Sequence, residues 1–176
     1  MKIVVEGIPS AGREIEVGLG DPWAVEAAAV ALDGPPSALQ GRIEVRRATT
    51  KGVVLVDVNV TASATATCDR CGEACARTTS ADSHLLYGPE EKGSEAYDGG
   101  EVELEADDLD LGWYREGEII LDDVLREALT LALPSRTTCA DTQECDKRTD
   151  ALLDAARGSS DPFAALRGWK PRTGEG

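Results

Sequence analysis

A chain of 176 residues with 41% hydrophobic side chains has apolar material for one ordinary core and not for two. Its 33 acidic and 18 basic side chains leave a formal net charge of −15, which repels nucleic-acid phosphate and anionic membrane surfaces at long range. Three Trp, three Tyr and one Phe are too few for a base-stacking platform; His84, the only histidine, rules out a His-based metal triad and, as a lone residue in a strand, reads as structural.

The opening Met1-Lys2-Ile3-Val4-Val5 is too short an apolar run for a secretory signal, and no stretch approaches the ~20 apolar residues of a membrane span, so a cytoplasmic protein is expected. Ile3 and Val5, then Ile15 and Val17, share parity and predict one or two edge strands around a turn at Pro9 to Gly12. Asp21-Pro22 before an Ala-rich stretch supplies a capping side chain and a proline at the first helical position. A short helix to Leu32 follows, stopped by Gly34-Pro35-Pro36. Leu39, Gly41, Ile43 and Val45 alternate with Gln40, Arg42, Glu44 and Arg46, the pattern of a strand. After a turn at Thr49 to Gly52, Val54, Val56, Val58, Val60, Ala62, Ala64 and Ala66 lie on one face of a long strand. That strand runs into Cys68-Asp69-Arg70-Cys71-Gly72-Glu73, and Ala74 to Tyr87 reads as the return strand of an antiparallel meander.

Residues 88 to 100, rich in Gly, Pro and acidic side chains, read as an exposed, mobile loop. A further extended stretch is expected from Glu101 to Tyr114, then a turn at Arg115 to Glu118. Ile119 to Leu133 predicts the main helix, with Leu121, Val124, Leu125, Ala128, Leu131 and Ala132 on its core face and Asp122 and Asp123 at its positive N-terminus; Pro134 ends it. Cys139 and Cys145 then fall in a polar loop, followed by a short helix from Thr149 to Arg157, a last helical turn at Asp161 to Arg167, and a disordered tail over 171–176. The fold class is therefore α+β: an antiparallel sheet or partly open barrel with one main packed helix, in a single domain over 1–170.

Five cysteines in a chain without an export signal read as metal ligands or buried thiols rather than disulfides. Cys68-x2-Cys71 at a hairpin tip has the spacing for two thiolates on one tetrahedral zinc, and Cys139 with Cys145 completes a four-sulfur set. The five intervening residues of that second pair are looser than the usual two to four. Because the pairs are far apart in sequence, the ion would clamp the C-terminal segment onto the sheet and be structural. Cys75 fits the return strand as an ordinary inward residue, or replaces one ligand. A redox reading of Cys68 and Cys71 lacks the helix N-terminus and βαβ setting that such chemistry needs. An EF-hand starting at Asp107 would place Leu109 and Leu111 where oxygen ligands are required, so the acidic run at 107–118 reads as a solvated face. Arg42, Arg46, Arg47 and Lys51 form the one notable basic group, read as charge that protects a strand edge rather than as a phosphate site.

The Val-rich strand ending in Cys68-Asp69-Arg70-Cys71-Gly72-Glu73, the segment Ile119 to Pro134 and the terminal Asp161-Pro162-Phe163-Ala164-Ala165-Leu166 resemble, in that order, the bacterial YceD family of large ribosomal RNA subunit accumulation proteins. The resemblance covers about residues 35–170. It implies a cytoplasmic, non-enzymatic factor for synthesis, processing or stability of 23S ribosomal RNA, whose partners are ribosome-assembly proteins or that RNA itself. Cys68 and Cys71 match the family's cysteine pair, and Cys139 and Cys145 fall where further cysteines are often found. Two other classes stand beside this reading. A zinc or thiol enzyme would need an open metal position next to a base such as Glu73 or Asp141, and a direct RNA-binding module would have to overcome the net charge.

Overall fold

Val54–Thr67, a strand of 14 residues, is the middle of a five-stranded sheet, and its odd-sided neighbours explain most of the architecture. The structure, a computed structural model, describes residues 1–90 and 111–156. In chain order its elements are β1 (Lys2–Val4), β2 (Arg13–Gly18), α1 (Pro22–Leu32), β3 (Pro36–Arg47), β4 (Val54–Thr67), β5 (Ala74–Pro89), β6 (Leu111–Tyr114), β7 (Glu118–Ile120), α2 (Leu121–Leu131) and α3 (Thr142–Ala156).

The large sheet runs β2-β3-β4-β5-β6, and β1 pairs separately with β7. Val54, Val56, Val58, Val60, Ala62 and Ala64 of β4 are all buried, as the period-two pattern requires. In register beside them lie Ile43 opposite Val58 in β3 and Ala81 opposite Val60 in β5. Helices α1 and α2 pack on each other, and α2 also lies against β4 and β5. Buried Ala24, Ala27, Ala28 and Ala31 make α1 slim enough for this close approach, while Leu32 fills the space at its end. The opposite face of the sheet carries hydroxyl pairs, Thr61 with Ser80 at 3.0 Å and Ser63 with Thr78 at 2.9 Å.

Two polar side chains on the inner face of β5 satisfy helix ends. Arg77 donates to the carbonyl of Leu32 at the end of α1, and Thr79 donates to that of Ala132 just past α2, at 2.7 Å. Both acceptors belong to the last-turn carbonyls that an α-helix leaves unpaired. Asp33 closes α1 in the left-handed region, at φ 54°.

Several expectations change. The meander holds for β3, β4 and β5, but β6 joins β5 in parallel, pairing Leu86 with Leu111 and Pro89 with Tyr114. Gly88 and Pro89, expected in the acidic loop, are therefore still strand; residues 91–100 of that loop, the stretch 101–110 and the last helical turn at 161–167 lie outside the described residues. The main helix starts at Leu121 because Ile119 and Ile120 are taken up by β7. It buries Leu121, Val124, Leu125, Ala128 and Leu129, whereas Leu131 is 72% exposed. Packing against α1 as well as the sheet turns the apolar stripe toward Leu129 and leaves Leu131 on the far side. The basic group does not protect an edge, since β3 lies between β2 and β4. Arg42 pairs instead with Glu44 at 3.0 Å, Arg46 with Asp57, and Arg47 with the carbonyl of Glu6.

Candidate metal centre

The tip between β4 and β5 is a tight knuckle. The amide of Gly72 donates to the carbonyl of Cys68 at 2.9 Å, and the amide of Cys68 to the carbonyl of Glu73 at 2.8 Å. Gly72 turns the chain at φ 76°, a left-handed conformation that glycine adopts without steric cost. This geometry points Cys68 and Cys71 to one side, and both are buried.

The other two sulfurs come from the segment after α2. Cys145, expected in a loop, lies instead in the first turn of α3. Asp141 caps that helix: its Oδ1 accepts from the amide of Glu144 at 3.0 Å, and its carbonyl accepts from the amide of Cys145 at 3.2 Å. The run Asp141-x-x-Glu144 is the local signal that marks this helix start four residues before the cysteine's turn is complete. Cys139 precedes the cap and is half-buried.

The four sulfurs converge. Sγ of Cys68 is 3.7 Å from that of Cys145, and Sγ of Cys71 is 3.6 Å from that of Cys139. All four lie within 4.8 Å of one another. Ligands ~2.3 Å from a central ion in a tetrahedron are about 3.8 Å apart, so the spacing suits one four-coordinate metal. Thiolates without histidine or carboxylate are a soft donor set, which zinc accepts and calcium or magnesium does not. Every one of the five cysteines is a free thiol. Cys75 packs against the group as a half-buried neighbour and is not among the four.

The surroundings shape the charge of the sulfurs. Amide groups of Cys71 and Arg70 directed at Cys68 draw its thiol down to about 6, a thiolate at neutral pH. Hydrogen bonding to the sulfurs of Cys71 and Cys68, with burial, pushes Cys139 up to about 12, and burial first of all raises Cys145. Arg148, one turn along α3, faces the group. Burial works against its charge, but Glu144 and the sulfur of Cys71 outweigh that and hold it protonated. Four thiolates around a divalent ion would carry two net negative charges, part of which Arg148 would offset.

Residues with no sulfur register the two halves. Asp69 donates its amide to the carbonyl of Thr137 at 2.8 Å and accepts the amide of Thr137 on Oδ2 at 2.6 Å. On the other side of the knuckle Arg70 pairs with Asp146 at 2.5 Å, and the hydroxyl of Thr149 lies 3.4 Å from the carbonyl of Arg70. Sequence reasoning did not find Asp69, Thr137 or Arg148, because a polar residue between or beside cysteines carries no periodic signature. His84 is remote from the sulfurs: it is an exposed side chain of β5 bonded through Nδ1 to Asp57 at 2.6 Å.

Residues 56–170 match the family described as large ribosomal RNA subunit accumulation protein YceD, more than half of the chain. The chain belongs to the YceD family. The match takes in both cysteine pairs and leaves out β1, β2, α1 and β3, so residues 1–55 stand on their structure alone. No curated protein and no solved structure gives a significant match to the chain. The YceD family's name ties it to accumulation of large-subunit ribosomal RNA. Among the described residues no helix is long and apolar enough to cross a membrane.

Proposed function

We propose that this YceD protein is a non-enzymatic cytoplasmic factor supporting synthesis, processing or stability of large-subunit (23S) ribosomal RNA, with a structural zinc on Cys68, Cys71, Cys139 and Cys145. The observation that carries the metal reading is the convergence of four sulfurs within 4.8 Å from two segments distant in sequence. When bound, the zinc would supply cohesion rather than reactivity. The four thiols complete its coordination, whereas a catalytic zinc keeps a position open for water or substrate. Of the two acids that a zinc or thiol enzyme would use as a base, Asp141 is occupied as a helix cap and Glu73 is exposed at the knuckle.

Cohesion is what α3 lacks. Cys145 is its one buried residue, and Leu152 and Leu153 are largely exposed, so there is little apolar burial to hold the helix on the sheet. The ion would replace that missing core. Direct reading of RNA is disfavoured by the −15 net charge and by the pairing of Arg42 and Arg46 with carboxylates, which favours action through a protein partner.

The test joins chemistry to function. Protein purified under reducing conditions should carry one zinc per chain. In cells lacking the endogenous protein, the wild-type chain should restore the ratio of large- to small-subunit ribosomal RNA, and Cys68→Ser and Cys139→Ser should not. Metal-free protein with full rescue by both variants would overturn the metal role; absence of any ribosomal RNA phenotype would overturn the cellular one.

A further inference from the structure

The four sulfurs make two specific contacts as well as one cluster. Sγ of Cys68 lies 3.7 Å from Sγ of Cys145, and Sγ of Cys71 lies 3.6 Å from Sγ of Cys139. Each contact joins the knuckle between β4 and β5 to the segment after α2, across 77 and 68 positions of sequence. Four cysteines can pair in three ways, and these contacts favour the one that crosses between the segments. An S–S bond is ~2.05 Å long, so each pair has about 1.6 Å to close. Neither pair is the Cys68-x2-Cys71 dithiol of a thiol-exchange site.

The sulfurs are not equally reachable. Cys68, Cys71 and Cys145 are 2%, 3% and 2% exposed, whereas Cys139 is half-buried. Cys75, also half-buried, packs beside the group without belonging to it. Among the four, an oxidant arriving from solvent therefore meets Cys139 first, and the thiol waiting beside Cys139 is Cys71.

We propose that the group is a redox-convertible clamp: peroxide exchanges its metal for two disulfides, Cys71–Cys139 and then Cys68–Cys145, and these keep α3 on the knuckle. The Cys139 sulfur attacks one oxygen of the peroxide and the O–O bond breaks, leaving a sulfenic acid on Cys139 and releasing hydroxide, which is protonated to water. Cys71 then displaces the sulfenic hydroxyl, which also leaves as water. A second peroxide joins Cys68 to Cys145 in the same manner. Four thiolates thus give four electrons to two peroxides, four protons are taken up, four waters form, and the divalent ion is released because disulfide sulfur is no longer a thiolate ligand. Oxidation so decides whether metal is held, not where α3 sits, since both bonds close long loops between the same two segments.

The inference rests on the metal reading for what is released, and on the sulfur contacts alone for which bonds form. The experiment treats the full-length, zinc-loaded protein, freed of reductant, with one and then two equivalents of hydrogen peroxide. Released zinc is followed with a chromogenic chelator against an untreated control, and free thiols are counted under denaturing conditions. Cleavage after Arg70 and Glu73 and before Asp141 puts every cysteine on its own peptide, so mass spectrometry without reduction reads the pairing.

Expected are Cys71–Cys139 after the first equivalent, both disulfides after the second, loss of the bound zinc, and a fall from five free thiols to the single thiol of Cys75. Hydrogen exchange over Thr142–Ala156 should stay slow in the oxidised, zinc-free protein and become fast in the reduced, zinc-free one. Cys75→Ser should give the same two bonds and the same zinc release, and a dithiol reductant with added zinc should reverse both. A Cys68–Cys71 or Cys139–Cys145 bond, a bond to Cys75, sulfinic acid in place of disulfides, or fast exchange of α3 after oxidation would each overturn the proposal. Protein that carries no zinc as purified yet forms the two crossing disulfides would sink the metal reading and leave the clamp standing.

Discussion

Asp69 and Thr137 hold each other by two hydrogen bonds, amide to carbonyl at 2.8 Å and amide to carboxylate at 2.6 Å, and so set the second cysteine pair opposite the first. Removing the carboxylate leaves the amide of nearly buried Thr137 unpaired. A hydrogen bond to a charged group contributes roughly 1.5–3 kcal/mol. Asp69→Ala should therefore loosen the segment after α2 by a cost in that range while the sheet stays intact. Hydrogen exchange should rise over Thr142–Ala156 and remain slow in β4.

The metal reading makes its own demand on the cysteines. Cys68→Ser and Cys139→Ser should lower zinc content alike, and Cys75→Ser should leave it near wild type, because Cys75 lies outside the four-sulfur group. Zinc needs thiolates, so binding should weaken as the solution is acidified. Cys139 and Cys145, both raised, would give up protons on metal uptake at neutral pH, whereas Cys68 at about 6 would give up little. Proton release into weak buffer during a zinc titration measures this. A chelator should free α3 and leave the Val54–Thr67 strand protected.

On the outer sheet face, His84 and Asp57 form a pH-dependent pair. Hydrogen bonding to Asp57 raises His84, and hydrogen bonding to His84, then to Arg46, lowers Asp57. The histidine's contribution is fully present below its unfolded value of about 6.5 and is lost as pH rises through the raised folded value. The carboxylate's contribution is present above its unfolded value of about 3.9 and is lost as pH falls through the lowered folded value. Both act together between those limits. Asp57→Asn should return the NMR titration of His84 toward about 6.5 and flatten the alkaline edge of that window. An unshifted titration would show that the pair does not form in solution.

Gly41 sits in β3 with φ 152°, and a Cβ built there would be 2.2 Å from the carbonyl oxygen of Asn59 and 2.6 Å from the Cα of Val60. Backbone cannot yield as a side-chain tip can. Gly41→Ala should cost more than about 3 kcal/mol, read as a drop in denaturant midpoint. Gly20→Ala, with open space around the new methyl, should change stability by less than about 0.5 kcal/mol.

The parts of the fold legible in the sequence are those written by local period. The alternation from Val54 to Ala66 locates β4 and its buried face, and Asp21-Pro22 locates α1. Pairing direction is not a local property: nothing in Leu111 to Tyr114 says that these residues join β5 in parallel, since that depends on where the chain returns from. Leu131 and Leu129 were separated only by the packing of α1 on α2, a contact between distant segments. The four cysteines of the candidate site were readable from residue type and order. The helix bearing Cys145 was also written locally, in the Asp141 to Glu144 cap, but its polar body hid it. Asp69, Thr137 and Arg148 emerge only once two distant segments meet.

The pairing of Lys2–Val4 with Glu118–Ile120 has a consequence for the order of events at birth. A growing chain adds ~5–20 residues per second, so β1 waits roughly 6–25 s for its partner strand. Cys68 and Cys71 likewise emerge well before Cys139 and Cys145. During that interval the knuckle is a half-built thiol pair, open to scavenging of metal or to oxidation, and β5 has no neighbour on its outer side. The last third of the chain thus completes both the sheet and the sulfur group at nearly the same moment. A ribosome stalled after residue 110 would hold a protein with an open edge and an unfinished ligand set, which chaperones or thiol-reactive probes should detect.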